Sequence, residues 1–522
     1  MYNIEMSHST RLFLLVAAAL FFLLLSVSLN IDYVQNDEYI HYQTVNNFLG
    51  GNFTLPAYLA STFYTQGILS ALFSSLFGLG NLPILTALLS SLTIFVFMLL
   101  LNRIMTLSPL QTILTGLLLF LNPIYLYSSL GFMTEIYFLF FFMLSLYYFY
   151  TYQKLPDSKN LVFFFLFSIL SFFVRQIGLC TLLAASFFFF RKRSFKLGFT
   201  SLATAIALGV FYMALFPKTT QMSASFLAAE TILNPERLFS YIGITAIYLS
   251  VFITPLVPTF VLSTTKKSRI LLFIIITITL GLAIKLFFQP QSIKHTTVNQ
   301  NYELDIKFSA EYFPYLGNTF GRKGFFQENL AGEKYSYEVS DKLFYLLEVL
   351  GKIMAVSLIA LAVMNWRKLL NFECLYLMFT VAFFIVSPRV YDRYLISLIT
   401  VAIILVVKVS KPATYLLIPF LILLAFLDYQ YTSDFFAVNK YVKQRTDELL
   451  KSENISEKDI KADNSWNVTH PNKTGKWKYY FEYKGTEKQK VDDGNFTLVE
   501  KHKITFPFSF YSDSYVYLYK RT

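Results

Sequence analysis

Asp37 and Glu38 stand side by side in the run Asp32-Tyr33-Val34-Gln35-Asn36-Asp37-Glu38-Tyr39-Ile40-His41-Tyr42. A carboxylate of this kind can take a proton from an attacking hydroxyl, and a second one beside it can orient a substrate. His41 lies one helical turn further on. A third acid, Glu135, closes the run Gly131-Phe132-Met133-Thr134-Glu135, and Arg175 is the one charge in the apolar stretch 161–190. Arg389, Tyr391, Asp392 and Arg393 share the segment Ser387-Pro388-Arg389-Val390-Tyr391-Asp392-Arg393-Tyr394. Arginines grip phosphate oxygens bidentately, so acids and arginines gathered at one depth suit chemistry on an anionic, lipid-borne substrate. Plain readings stand beside this one. The acidic pair reads equally as ordinary loop charge, Glu135 as a carboxylate favoured by the positive start of a helix, and Arg389, Asp392 and Arg393 as an interfacial salt-bridge cluster. Arg175 resists such a reading, because a lone charge in a long apolar hairpin usually has a functional partner.

The elements that must position these residues are membrane helices. Of 522 residues, 55% are hydrophobic and 15% charged, against about 25% charged in a soluble chain. The apolar residues fall into runs of about 20, the length that crosses a bilayer. The pattern predicts an all-α polytopic membrane protein with thirteen spans, near 11–30, 83–102, 109–128, 132–151, 161–175, 177–190, 198–216, 238–262, 270–288, 345–364, 372–387, 390–408 and 412–428. The net charge of +12 does not indicate nucleic acid, since much of the basic excess sits in short loops, the signature of cytoplasmic loops. Arg103, Lys154 with Lys159, 191–193, Lys266 with Lys267 and Arg269, Arg367 with Lys368, and Lys408 with Lys411 all reach one side with thirteen spans. The N-terminus is then cytoplasmic and the C-terminus external. Residues 161–190 become a hairpin turning at 175–178, which brings Arg175 to the external face together with Asp37, Glu38, His41, Glu135 and the 389–393 cluster.

Within a membrane unit spanning 1–428, the external loop 31–82 carries the acidic motif, and its middle, 65–79, suits a helix lying in the interface. A larger polar loop covers 289–341. Residues 429–522 form a small extracytoplasmic α+β domain, with a helix over 434–451 and period-two strands over 478–483 and 515–519. Cys180 and Cys374 both lie in apolar segments, so no disulfide framework is expected. No phosphate-binding glycine loop and no zinc-ligand spacing occurs, so no cofactor is required and a divalent metal, though compatible with the chemistry, is not indicated.

The acidic pair, Tyr39 and the run Asn47-Phe48-Leu49-Gly50-Gly51-Asn52-Phe53 resemble the polyprenyl-phosphate-sugar-dependent glycosyltransferases of the GT-C superfamily. Met133-Thr134-Glu135, Arg175-Gln176 and Asp392-Arg393-Tyr394 make the chain most similar to the protein O-mannosyltransferase and aminoarabinose transferase branch, as does the tail from 428 to 466. That resemblance implies a GT-C fold and transfer of a sugar from a polyprenyl phosphate to an acceptor hydroxyl at the external face of a plasma membrane. The acceptor is a protein, a lipid or a glycan. Asp37 would be the catalytic base, Glu38 an orienting group and Glu135 a second acid near the sugar, with Arg175, Arg393 and Arg389 on the donor phosphate. The first loop has few lysines after Glu38, unlike the aminoarabinose transferases. A transporter or flippase of an anionic substrate and a polysaccharide ligase are the alternatives. The five histidines are scattered, which argues against a metal-dependent phosphoethanolamine transferase.

Overall fold

Apolar runs of this length form helices because each backbone N–H and C=O, denied water, must be satisfied within its own segment. α1 (His8–Ser28) starts at Ser7, whose hydroxyl accepts from the Thr10 N–H. α2 (Glu38–Leu49), α3 (Tyr64–Phe77) and α4 (Leu82–Leu99) follow. A capping box between Ser108 and Gln111 opens α5 (Pro109–Phe120), and α6 (Pro123–Ser129) leaves it at a 71° bend. Next come α7 (Thr134–Lys154), α8 (Ser158–Phe172), α9 (Leu179–Arg191) and α10 (Phe195–Leu215). α11 (Val257–Leu262), α12 (Phe372–Val386), α13 (Ile396–Val409) and α14 (Thr414–Glu453) complete the helices named here. The structure, a computed structural model, describes residues 7–31, 38–56, 59, 61–215, 242, 245–246, 248–262, 270, 293–296, 307–310, 350–351, 353–359, 371–386, 392–462, 466–467, 470, 472, 475–484, 496–509 and 515–522. The expected span 270–288, much of 345–364 and most of the loop 289–341 lie outside the described residues; within that loop Ile293–Thr296 and Lys307–Ala310 pair antiparallel as β1 and β2.

Four described helices are long and apolar enough to cross a membrane: His8–Ser28, Leu79–Ile104, Phe195–Ala214 and Thr414–Glu453; the bent α5–α6 pair adds a fifth if it is one span. The chain is mostly helical with membrane-like apolar helices, and the count of thirteen goes beyond what these helices show. α8, α9 and α12 are apolar but short. α7 is long enough, yet its tyrosines lower its mean hydropathy, and it is deeply enclosed, with Glu135, Tyr137, Phe142, Phe149 and Tyr150 all buried.

Contacts between side chains fix the direction of the central helices. Glu135, at the start of α7, pairs with Arg393, just before α13, at 3.2 Å. Tyr150, near the end of α7, donates to Glu373 of α12, which also takes Lys408 Nζ at 3.0 Å from the end of α13. α7 and α13 therefore run parallel. Phe149 meets Phe164 of α8 and Phe188 of α9, while the turn between those two helices reaches the Glu135 end; 161–190 is thus a hairpin, as expected. Lys154 donates to the Arg103 carbonyl at 3.0 Å and Arg103 to Thr10 Oγ1 at 3.1 Å. Arg103, Lys154 and Lys408, grouped by charge in the sequence, accordingly share one end of the bundle, opposite Glu135. Small polar side chains tie the helices together: Ser90 to Ser129 at 2.8 Å, Ser145 to Ser168 at 2.7 Å and Tyr376 to Ser397 at 2.9 Å, as is usual where apolar surface gives no preference between helix and lipid.

α3 is turned inside out. It buries Gln66, Gly67, Ser70 and Ser74 and exposes Ile68, Leu72, Leu76 and Phe77. This suits the interfacial helix expected over 65–79, since lipid rewards an outward apolar face.

At the other extreme of the chain, the expected span 412–428 and helix 434–451 are one continuous helix of 40 residues, about 60 Å long at 1.5 Å per residue. Its outer part packs on a four-stranded sheet ordered β3 (Ile460–Lys461), β4 (Tyr479–Lys484), β6 (Tyr515–Arg521), β5 (Phe496–Lys503). β4 and β6 were legible as strands; β5, mostly exposed, was not. Alternation divides β6. Val516 and Leu518 join the main core with Phe435 and Val438 of α14, and Tyr515, Tyr517 and Tyr519 pack with Tyr480. Polar contacts fasten the helix to β5: Tyr441 stacks on His502 at 3.9 Å, and Arg445 Nε reaches Glu500 Oε2 at 2.9 Å. Lower down, Glu453 takes Lys478 at 3.0 Å and Lys520 at 3.4 Å.

A Cβ on Gly178 meets backbone atoms of Phe172 at 2.6 and 2.8 Å, whereas one on Gly116 meets the flexible Met98 at 2.9 Å. Overpacking costs about 1–3 kcal/mol, so Gly178→Ala lowers the thermal unfolding temperature in detergent clearly more than Gly116→Ala. The hydrogen bonds from Lys478 and Tyr479, with the charges of Lys478 and Lys520, hold the Glu453 carboxyl at about 2 rather than 4.5. A depressed carboxyl stabilises the folded state fully above the unfolded value and loses that contribution as pH falls through the folded one. The C-terminal domain of the wild type thus loses stability between about pH 4.5 and 2, and Glu453→Gln flattens that part of the curve in circular-dichroism melts.

Candidate functional site

Glu135 is the first-turn acid of α7 and is almost wholly buried. Arg175 Nη1 donates to its Oε1 and to Thr134 Oγ1, the latter at 3.0 Å. Arg393 Nε lies 3.2 Å from the same Oε1. One carboxylate therefore sits between two guanidinium groups carried by the α8–α9 turn and by the 3₁₀ turn Asp392–Leu395. Tyr394 completes the cluster, with its ring 4.0 Å from the Arg175 guanidinium carbon, the arrangement in which the negative ring face attracts a cation. The side-chain hydrogen bonds of Arg175 to described residues run through Nη1, and the Tyr394 ring covers the face of the guanidinium. Its Nε–Nη2 edge, the fork that matches a phosphate or carboxylate, makes no hydrogen bond to described residues.

Local sequence explains why Arg175 points here. α8 ends at Phe172, and Arg175 takes extended backbone angles before the 3₁₀ turn Gln176–Gly178. Gly178 lets α9 start hard against the end of α8. Gln176 then donates to Tyr212 of α10 at 3.0 Å, which keeps the turn from swinging.

The first loop laces onto both turns. Glu38 accepts the Phe132 N–H, and His41 Nδ1 lies 3.0 Å from the Phe132 carbonyl oxygen. One face of α2 thus clamps the backbone of a single residue on both sides of its Cα, three residues before Glu135. Further on, Thr62 donates to the Phe172 carbonyl, Phe63 N–H to Val174 at 3.1 Å and Thr65 N–H to Phe173 at 3.1 Å. Residues 61–65 therefore run along the three residues that precede Arg175. Phe63 is fully buried with φ +50° and stacks on His41 at 5.1 Å. A non-glycine residue in the left-handed region costs about 1–3 kcal/mol and persists only where its surroundings hold it.

Of the residues singled out from the sequence, Glu38, His41, Glu135, Arg175 and Arg393 come together at one end of the bundle. Glu38 and His41 use their polar atoms on the Phe132 backbone. Asp37, Arg389 and Tyr391 lie outside the described residues, as does the side chain of Asp392. Tyr394, Thr134 and Phe63 were not singled out. Tyr394 and Thr134 adjoin Arg393 and Glu135 in the motifs themselves, a signal that was there to be used; nothing in the sequence marks Phe63. Among the described residues no group of three His, Cys, Asp or Glu side chains could hold a metal ion.

Comparison with protein-family models, with curated proteins and with solved structures returns no match.

Removing one partner from a buried ionic cluster leaves the others uncompensated and costs about 3–5 kcal/mol. Glu135→Gln is therefore expected to destabilise the protein strongly in thermal melts. Glu38→Gln, whose amide oxygen can still accept the Phe132 N–H, is expected to shift the melt far less. Equal shifts for the two variants would mean that the shared carboxylate is no keystone.

Proposed function

We propose that this chain is an integral-membrane glycosyltransferase of GT-C type. It moves a sugar from a polyprenyl-phosphate donor to an acceptor hydroxyl at the external face of a plasma membrane. The observation that carries the reading is Arg175. It is held through Nη1 by Glu135 and Thr134, and its other edge makes no hydrogen bond or ion pair with described residues. A guanidinium fixed in this way is prepared for an anionic phosphate oxygen, and Arg393 stands on the far side of the same carboxylate. The resemblance of the 36–53 and 392–394 motifs to that superfamily supports the same reading, with Arg389 as a further phosphate ligand.

In this mechanism the acceptor oxygen attacks the anomeric carbon while the bond from that carbon to the phosphate oxygen breaks. The anomeric centre inverts. Asp37 takes the hydroxyl proton, and the departing lipid phosphate keeps the bonding electron pair, its charge met by Arg175 and Arg393. Glu38 and His41, by clamping Phe132, hold the segment after Asp37 against the turn that carries Glu135. Glu135 keeps both arginines aimed, so that little reorganisation is left for the moment of reaction. The reaction itself calls for no metal, since arginine neutralises the leaving group. The C-terminal domain lies on the external side, reached through α14.

Loss of a general base typically costs about 10²–10⁴-fold in rate. Membranes carrying wild-type protein are expected to transfer radiolabelled sugar from one of a panel of polyprenyl-phosphate sugars. Asp37→Asn should lower that transfer by this factor with donor binding retained. Undiminished transfer by Asp37→Asn would remove the base assignment, and saturable uptake of the donor without transfer would favour a flippase.

A further inference from the structure

The last helix carries an exposed apolar stripe that does not stop where the expected span stops. Tyr415, Ile418, Ile422, Phe426 and Tyr429 are all exposed, and their spacing of three or four residues sets them on one face of α14. Tyr429 is the first residue beyond the expected span 412–428. Its hydroxyl donates to the Pro507 carbonyl at 2.6 Å, and its ring lies 6.2 Å from Phe506. Its neighbour Gln430 donates from Nε2 to the Phe508 carbonyl at 2.8 Å. The turn at 506–509, closed by Ser509 N–H on the Phe506 carbonyl at 3.2 Å, is thus pinned to the level at which α14 leaves its apolar segment. At its tip Phe508 is 85% exposed, the highest value among the large hydrophobic residues described, and holds a left-handed φ of +54°.

Single exposed apolar residues are ordinary. This one differs in three respects. Its backbone is tied by side chains from a helix that reads as a span, its turn packs on Tyr429 at the end of that helix's exposed apolar stripe, and it sits in a backbone conformation that phenylalanine rarely adopts. An aromatic ring presented at the height of a membrane boundary matches the interfacial zone, where aromatic side chains concentrate.

We propose that the 506–509 turn is a membrane-docking element: Phe508 inserts its ring into the headgroup–acyl boundary of the bilayer that α14 crosses. The C-terminal domain is thereby seated on the membrane surface beside the bundle. The proposal rests on α14 being a membrane span, and its partner is the lipid surface itself.

The test uses the full chain in phosphatidylcholine–phosphatidylglycerol vesicles, with Phe508→Trp, Ile422→Trp and Val499→Trp read as differences from the parent and its three tryptophans. Ile422 is the reference for the span, and Val499, exposed on β5, is the reference for water. Lipids brominated near the headgroup should remove most of the emission added at 508 and leave that at 499 intact. Deep bromines should quench 422 more than 508. The bimane adduct of Phe508→Cys, read against headgroup-labelled nitroxide lipid, repeats the measurement with a different side chain. Emission at 508 as unquenched as at 499, with 422 quenched, overturns the docking proposal and leaves the span standing. If 422 is also unquenched, the span reading falls and the proposal falls with it.

Discussion

The Glu135 carboxylate between two arginines is the constraint on which the arrangement of the bundle depends. It joins the first turn of α7, the α8–α9 turn and the turn before α13, three segments far apart in the chain. At the opposite end of α7, Glu373 performs the same service for Tyr150 and Lys408. Glu135 and Tyr150 are fifteen residues apart on α7, and Arg393 and Lys408 fifteen apart across α13, so the clusters sit about 22 Å from each other on both helices. Buried ion pairs contribute little net stability once desolvation is counted, but they tolerate few alternative partners. In a bundle whose surfaces are mostly Leu, Ile, Val and Phe, packing alone distinguishes one helix register from another weakly. Two charged ties at fixed separation remove that ambiguity.

Upon this frame the first loop works as a fastening. α2 grips the N–H and the carbonyl of Phe132, three residues before Glu135, and residues 61–65 follow the backbone beside Arg175. The strained Phe63 lies where those two attachments meet, packed on His41 and within 6.4 Å of Phe132. Strain of this kind is retained when the surrounding contacts over-determine the conformation. The loop, the hairpin turn and the α13 turn thus behave as one body, which a site needing fixed donors around a developing charge requires.

The C-terminal domain is joined to the bundle by a rod rather than a linker. α14 leaves its apolar segment and continues without a break into the α+β domain, where Tyr441 and Arg445 bind β5 and Phe435 and Val438 enter the core. Aromatic contact between Tyr127 of α6 and Phe435 at 6.0 Å fastens the rod a second time, just beyond the expected span. A continuous helix transmits orientation, so the height of the sheet above the bundle is set by the pitch of α14.

The sequence by itself determined what depends on short range and on solvent. Runs of apolar residues near 20 long require helices that satisfy their own backbone, and basic clusters at Arg103, Lys154 and Lys408 marked one end. Arg175 stood out because charge is rare in such runs, and the alternation of 515–519 announced a strand. The lone-charge argument thereby found half of the ionic cluster, and the Met133-Thr134-Glu135 motif found the other. What only the tertiary structure decided is which groups meet. Periodicity records that Glu38 and His41 share a helix face, but not that the face closes on Phe132. It gives no sign that Phe63 accepts a left-handed backbone, or that α14 continues where a span and a separate helix were expected. Local pattern specifies which face of an element is apolar. The partner of that face is chosen by contacts between residues tens or hundreds of positions apart, whose energies appear only when the chain has closed upon itself.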